Sequence, residues 1–151
     1  MKQNNFIISK MTILELDEIK DILENEFDDF WNYQIFKSEL ENPNSVYFMI
    51  KQNNEICGFI GALRVLDTSD IMNIVIKKSN RGKGLSKILL EYIINYCKEN
   101  NIKKINLEVS SKNIVAINLY KKYGFEEVGC RKNYYKNADG ILFTKCINSG
   151  I

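Results

Sequence analysis

"RGKGLSKILLEYIINYCKENNIKKINLEVSSKNIVAINLYKKYGF", residues 81 to 125, is the stretch on which the fold turns. A loop with two glycines opens it. Leu85, Ile88, Leu89, Tyr92, Ile93, Tyr96 and Cys97 then recur as one helical stripe, and "ENN" at 99–101 ends the helix. Next, Ile105, Leu107 and Val109 alternate with Asn106, Glu108 and Ser110, the period of a half-buried strand. A second helix follows, with Asn113 placed to cap its start, Gly124 to supply the left-handed residue at its end, and Phe125 as the apolar residue after it. Glu108 stands out because glutamate packs poorly in strands. The alternation puts it on the face opposite Leu107 and leaves two readings, a carboxylate in bulk water or one opening into a cleft.

The loop "RGKGLSK" has its own chemistry. Gly82 and Gly84 let the backbone approach a ligand closely, and the helix start that follows offers unpaired N–H groups and a positive dipole end. Arg81, Lys83 and Lys87 add positive charge. The pattern fits a pyrophosphate site, but also a strand-to-helix turn that needs glycine only for its geometry. It matches neither the P-loop pattern nor the dinucleotide fingerprint, whose last glycine is absent.

Outward from this segment, the chain reads as one domain of 151 residues. Phe6–Ile8 begins a strand. Thr12 with Glu15 resembles a capping box ahead of Leu16, Ile19, Ile22 and Leu23 at helical spacing. A short helix is expected over Asn32–Glu41, and residues 45–78 read as three strands with turns at "QNNE" and "LDTSD". Two closing strands are expected over about 125–135 and 141–147. The order is β, α, α, three β, α, β, α, β, β, an α/β (α+β) domain with a mixed sheet.

Composition excludes several chemistries. Histidine is absent, which removes Ser-His-Asp and Cys-His catalysis and His-ligated metals. Cys57, Cys97, Cys130 and Cys146 have no metal-site spacing and read as reduced, small, buried apolar residues. No metal is therefore expected. The apolar run at the start, Phe6–Ile8, is too short for a signal peptide, and no run could span a bilayer, so a cytoplasmic protein is expected. Residues 15–29 carry a local charge of −7 and residues 72–104 one of +6. That asymmetry fits either one cationic and one anionic partner or two solvated helix faces.

Together, "NIVIKKSNRGKGLSKILL", "INLEVSSKNIVAINLYKKYGF", their spacing and the element order resemble the GNAT superfamily of N-acetyltransferases. The superfamily's coenzyme A loop, Gln/Arg-x-x-Gly-x-Gly/Ala, is matched by Arg81-Gly82-Lys83-Gly84-Leu85-Ser86, with serine at the last position. "LEV" followed by "N-x-x-A-I-x-L-Y-x-x-x-G-F", "RKNYYKNADG", and "FWNYQIF" are similar to the bacterial family that acetylates the N-terminal alanine of a small-subunit ribosomal protein. The chain departs from that family at Phe30, at Lys77-Lys78 and at Lys136, where the family often has proline.

The resemblance implies a mixed, mostly antiparallel sheet of seven strands with four helices, splayed between the fourth and fifth strands. It implies acetyl-CoA as cosubstrate, bound by Ile74, Val75, Ile76, the loop Arg81–Lys87 and Asn113. It assigns Glu108 as general base, directly or through water, Tyr120 as proton donor to the leaving thiolate, and a backbone N–H within Ile74–Ile76 as donor to the thioester oxygen. Trp31, Tyr134 and Tyr135 would border the acceptor. A protein N-terminus, rather than nucleic acid or membrane, is the expected partner, met by a monomer or weak dimer. Magnitudes favour that acceptor: at pH 7, freeing an α-amine of pKa about 7.7–8.0 of its proton costs about 1 kcal/mol, against about 4.6 for lysine. A small-molecule or lysine acetyltransferase of this fold is an alternative. A non-catalytic coenzyme A-binding or ribosome-associated module is another.

Overall fold

The computed structural model describes residues 5–27 and 32–147. Its strands are β1 (Phe6–Lys10), β2 (Ser45–Gln52), β3 (Glu55–Val65), β4 (Thr68–Ile76), β5 (Lys104–Ser110), β6 (Glu126–Tyr135) and β7 (Ala138–Cys146). The α-helices are α1 (Ile13–Glu18), α2 (Tyr33–Glu41), α3 (Leu85–Glu99) and α4 (Ile114–Lys122). The element order is the expected one. Hydrogen-bonded strands follow one another as β1-β2-β3-β4-β5-β7-β6. The β4–β5 ladder is parallel and joins Thr68–Asp70 to Lys104–Asn106, while β1–β2, β2–β3, β5–β7 and β6–β7 are antiparallel.

The chain divides into two compact units, Met1–Leu63 with Met72–Ile93, and Arg64–Ile71 with Ile94–Ile151. In the first, Leu16, Phe27, Phe36, Tyr47 and Phe59 are fully buried. The Phe36 ring meets Phe59 edge-on at 4.7 Å and Tyr47 at 5.2 Å. Aromatic pairs of this kind each add about 0.5–1.5 kcal/mol beyond the area they bury. In the second unit, Ile105, Leu107, Val109, Phe125 and Phe143 are buried.

Local signals predicted the ends of elements well. The Thr12–Glu15 capping box is formed, Asn32 Oδ1 accepts from Ile35 N at 2.9 Å, and Asn113 Oδ1 accepts from Ala116 N at 3.1 Å. After α3, Asn101 takes a left-handed φ of 61° and Ile102 N donates back to Cys97 O at 3.0 Å. After α4, Gly124 does the same at φ 88°, and Phe125 N donates to Tyr120 O at 3.0 Å.

Cys57 and Cys97 are buried as expected, but Cys130 of β6 and Cys146 of β7 are exposed. Three further expectations are corrected. The first helical pattern does not run on to Leu23: α1 stops at Glu18, and Leu23–Phe27 forms a π-helical turn. Like charges at i, i+3 and i+4 (Asp17–Asp21, Glu18–Asp21, Asp21–Glu24) oppose a continuous helix there. The one base, Lys20, lies over the Tyr33 ring at 4.6 Å. In α3 the buried face includes Leu90 and Ile94, whereas Tyr92 is 37 % exposed, so the packed stripe is rotated from the expected one. Finally, β7 starts at Ala138, because only Lys136 and Asn137 turn the chain after β6.

Candidate active site

The alternation read in 104–110 is realised: Ile105, Leu107 and Val109 are buried, and Asn106, Glu108 and Ser110 are half-buried on the other face. That face is not bathed in water. Asn106 donates to Asp70 Oδ1 at 3.0 Å and accepts from Thr144 Oγ1 at 2.7 Å. The Glu108 side chain keeps 19 % of its surface, and its Oε2 has none and no hydrogen bond. Arg131 Nε of β6 stands 3.5 Å from that oxygen as an ion pair. The two residues lie two strands apart, with β7 between them: Ser110 and Arg131 both stand opposite Gly140. A Cβ on Gly140 would sit 2.3 Å from Glu108 Oε2 and 3.2 Å from Tyr134 Cβ. Gly140 is not among the residues of left-handed φ, so space rather than backbone conformation calls for glycine.

The β6–β7 register shifts between Arg131 and Tyr135, which leaves extra residues in β6 and bends it. Asn133 takes a φ of 55°, and its N–H donates to Asp139 Oδ1 at 2.8 Å. Asp139 is tied in turn to the loop after β5, its N–H donating to Ser111 Oγ at 3.1 Å and its carbonyl accepting from Ser111 N at 2.8 Å. This irregularity sets Tyr134, 51 % exposed, at right angles to Tyr135 with ring centroids 5.1 Å apart. Arg131 lies over the Tyr134 ring, 5.3 Å from its centroid. Tyr120 of α4 packs its ring on Phe125 at 5.9 Å and Phe143 at 6.3 Å. Burial, with a smaller contribution from Tyr135, pushes the Tyr120 phenol up to about 12. Burial also raises Tyr135, and the Glu108 carboxylate adds to it. Glu108, Arg131, Tyr134, Tyr135 and Tyr120 thus form one linked group in the second unit.

The glycine loop belongs to the first unit. Gly82 and Gly84 have φ of 81° and 77°, and a Cβ at either would meet nothing within 4 Å, so the loop's surface is open. Ile88 N donates to Gly84 O at 3.3 Å, which starts α3 and leaves the N–H groups of Leu85, Ser86 and Lys87 without helical acceptors. Lys83 and Lys87 are exposed. Arg81 is engaged differently: its Nε donates to Ile76 O at 3.0 Å and its Nη2 to Phe27 O at 2.9 Å, so its charge anchors the loop. Just past β4, Lys77 N donates to Cys57 O at 2.7 Å, and within the strand the Val75 carbonyl approaches Gly58. Free N–H groups, two lysines and an open loop suit the phosphates of coenzyme A. Trp31 lies outside the described residues.

The Acetyltransferase (GNAT) family model matches residues 16–125, well over half of the chain. The chain belongs to this family. A Haemophilus influenzae (strain Rd) ribosomal protein bS18-alanine N-acetyltransferase is 33 % identical over 136 residues, 89 % of this chain and 90 % of the relative. A Bacillus subtilis (strain 168) protein bearing that name provisionally is 33 % identical over 144 residues, 93 % of this chain and 95 % of its own. The crystal structure of the Escherichia coli ribosomal-protein-S18-alanine N-acetyltransferase superposes with a TM-score of 0.89 at 28 % identity, covering 97 % of both chains. This GNAT chain is accordingly an acetyl-CoA-dependent N-acetyltransferase.

Two residues of the acetyltransferase escaped the sequence reading, Arg131 and Gly140. Both were visible in "RKNYYKNADG", but nothing in spacing alone says that a strand glycine lets an arginine reach a glutamate two strands away. Among the described residues there is no group of three or more histidine, cysteine or acidic side chains placed to hold a metal, and no helix is long and apolar enough to cross a membrane.

Proposed function

We propose that this chain, as a single catalytic domain, acetylates the N-terminal α-amine of a protein, that of the alanine of ribosomal protein bS18. The observation that carries this is the similarity, over nine-tenths of both chains, to relatives named for that reaction. The neutral amine attacks the thioester carbonyl carbon of acetyl-CoA; a C–N bond forms and the C–S bond breaks. Glu108 takes the amine's proton, directly or through water. The N–H of Ile74 or Ile76 donates to the carbonyl oxygen as it gains charge. Tyr120 donates a hydrogen bond to the departing sulfur. As the C–S bond breaks, the phenol proton passes along that hydrogen bond to the thiolate, and Tyr120 regains a proton from solvent.

Around this chemistry, Lys83, Lys87 and the N–H groups of Leu85–Lys87 hold the phosphates, Arg81 braces the loop, and Asn113 adds a contact to the pantetheine arm. Tyr134 and Tyr135, with Trp31, border the acceptor. The acidic 15–29 segment favours a basic peptide terminus. The enzyme works in the cytoplasm as a monomer or weak dimer. The test is mass spectrometry of acetyl-CoA reactions with an alanine-starting bS18 peptide, its N-blocked form and polyamines. Acetylation of the free peptide at its α-amine alone is expected; acetylation of the blocked peptide at lysine, or of polyamines in preference, overturns the reading.

A further inference from the structure

We infer that Arg131 is a positioning residue for the Glu108 carboxylate, and that Gly140 is glycine so that the two can meet across β7. The inference rests on the proposal that Glu108 is the general base. Three observations carry it. First, Arg131 Nε stands 3.5 Å from Glu108 Oε2, an oxygen that is buried and has no hydrogen bond, while the Glu108 side chain as a whole keeps 19 % of its surface. The ion pair gives that buried oxygen a partner, so it bears on where the carboxylate sits. Second, the meeting depends on an absent side chain: any Cβ at position 140 would stand within 2.3 Å of that same oxygen, although the backbone there suits any residue. Third, the Arg131 guanidinium carbon lies 5.3 Å from the Tyr134 ring centroid, in the segment that Asp139 pins through Asn133.

An exposed pair looks different. Lys103 and Asp67 stand 3.7 Å apart with 76 % and 55 % of their side chains accessible, so both charges face water, whereas in the Arg131–Glu108 pair the arginine is 57 % accessible but the carboxylate side chain only 19 %. A base must be held within a fraction of an ångström of its working position, because a displacement of about 1 Å can cost a hundredfold in rate. Arg131 supplies that hold with a positive charge seated over the Tyr134 ring, a contact that an ammonium also makes.

The experiment is steady-state acetylation of the alanine-starting peptide by wild type, Arg131→Ala, Arg131→Lys, Gly140→Ala, Glu108→Gln and the double variant Arg131→Ala/Glu108→Gln. Melting temperature and coenzyme A affinity report folding. Arg131→Ala is expected to lower kcat by about tenfold to a hundredfold with the KM for acetyl-CoA unchanged. Arg131→Lys should recover most of the loss. In the Glu108→Gln background, Arg131→Ala should cost nothing further, since its effect passes through the carboxylate. Gly140→Ala should lower kcat likewise. It should also lower the melting temperature in wild type but much less in a Glu108→Ala background, where the colliding oxygen is gone.

Wild-type turnover in Arg131→Ala, or an equal loss with and without Glu108, overturns the inference while leaving Glu108 as base. Wild-type turnover in Glu108→Gln overturns the reading of Glu108 itself, and this inference with it. If Arg131→Ala melts early, the Arg131→Lys rescue and the Gly140→Ala cycle decide.

Discussion

Tyr120 holds its proton because its phenol is packed between Phe125 and Phe143. An unfolded tyrosine ionises near 10, and this one near 12. Its contribution to stability is therefore fully present below pH 10 and is lost as pH rises through about 12, an effect of about 3 kcal/mol at about 1.36 kcal/mol per unit. Tyr120→Phe should flatten part of the alkaline fall in stability, read from melting temperatures between pH 9 and about 12. Burial raises Tyr47 and Tyr135 as well, so part of that fall persists. The same variant should lower kcat by about tenfold or more while coenzyme A affinity holds, because it removes a hydrogen bond made to developing charge. Unchanged kcat would remove Tyr120 from the mechanism.

At the scale of elements, α1 is six residues long and depends on its ends. Thr12 N donates to Glu15 Oε1 at 2.8 Å, and the Thr12 hydroxyl accepts from the first turn. Thr12→Ala should cost about 1 kcal/mol, seen as a lower urea midpoint with unchanged m. The β2–β3 pair is tight in another way. Gly61 stands opposite Tyr47, and a Cβ there would fall 2.1 Å from the Tyr47 ring. Gly61→Ala should destabilise by about 1–3 kcal/mol through overpacking of a fully buried ring. A stability equal to wild type would mean the ring has room to move that its burial denies.

For the molecule as a whole, the charge pattern predicts how it meets its cosubstrate. Residues 72–104 carry the positive excess, and Lys83 and Lys87 are its exposed members at the loop. A ligand present at a hundred times its Kd raises stability by about 2.7 kcal/mol. Coenzyme A should therefore raise the melting temperature by several degrees, less so as salt screens the phosphates. The Lys83→Ala/Lys87→Ala variant should show a smaller rise and a shallower salt dependence. An equal rise in that variant would place the phosphates elsewhere.

Sequence alone determined what depends on near neighbours: the strand period around Glu108, the caps at Thr12 and Asn113, the end of α3 in "ENN", the left-handed end at Gly124, and the glycine loop ahead of α3. Each is settled by contacts within about five residues along the chain, where residue type fixes backbone preference. Tertiary structure decided the rest. Where α1 gives way to a π turn reflects like-charge repulsion within the run set against the burial of Leu23 and Phe27. Which stripe of α3 is buried was ambiguous because apolar residues fill more than one face. The setting of Glu108 was hidden for the same reason at greater distance. Alternation chooses a face, but only strand order and register bring Gly140 and then Arg131 beside that carboxylate. Register is set by the packing of whole strands, and no short stretch of sequence contains it.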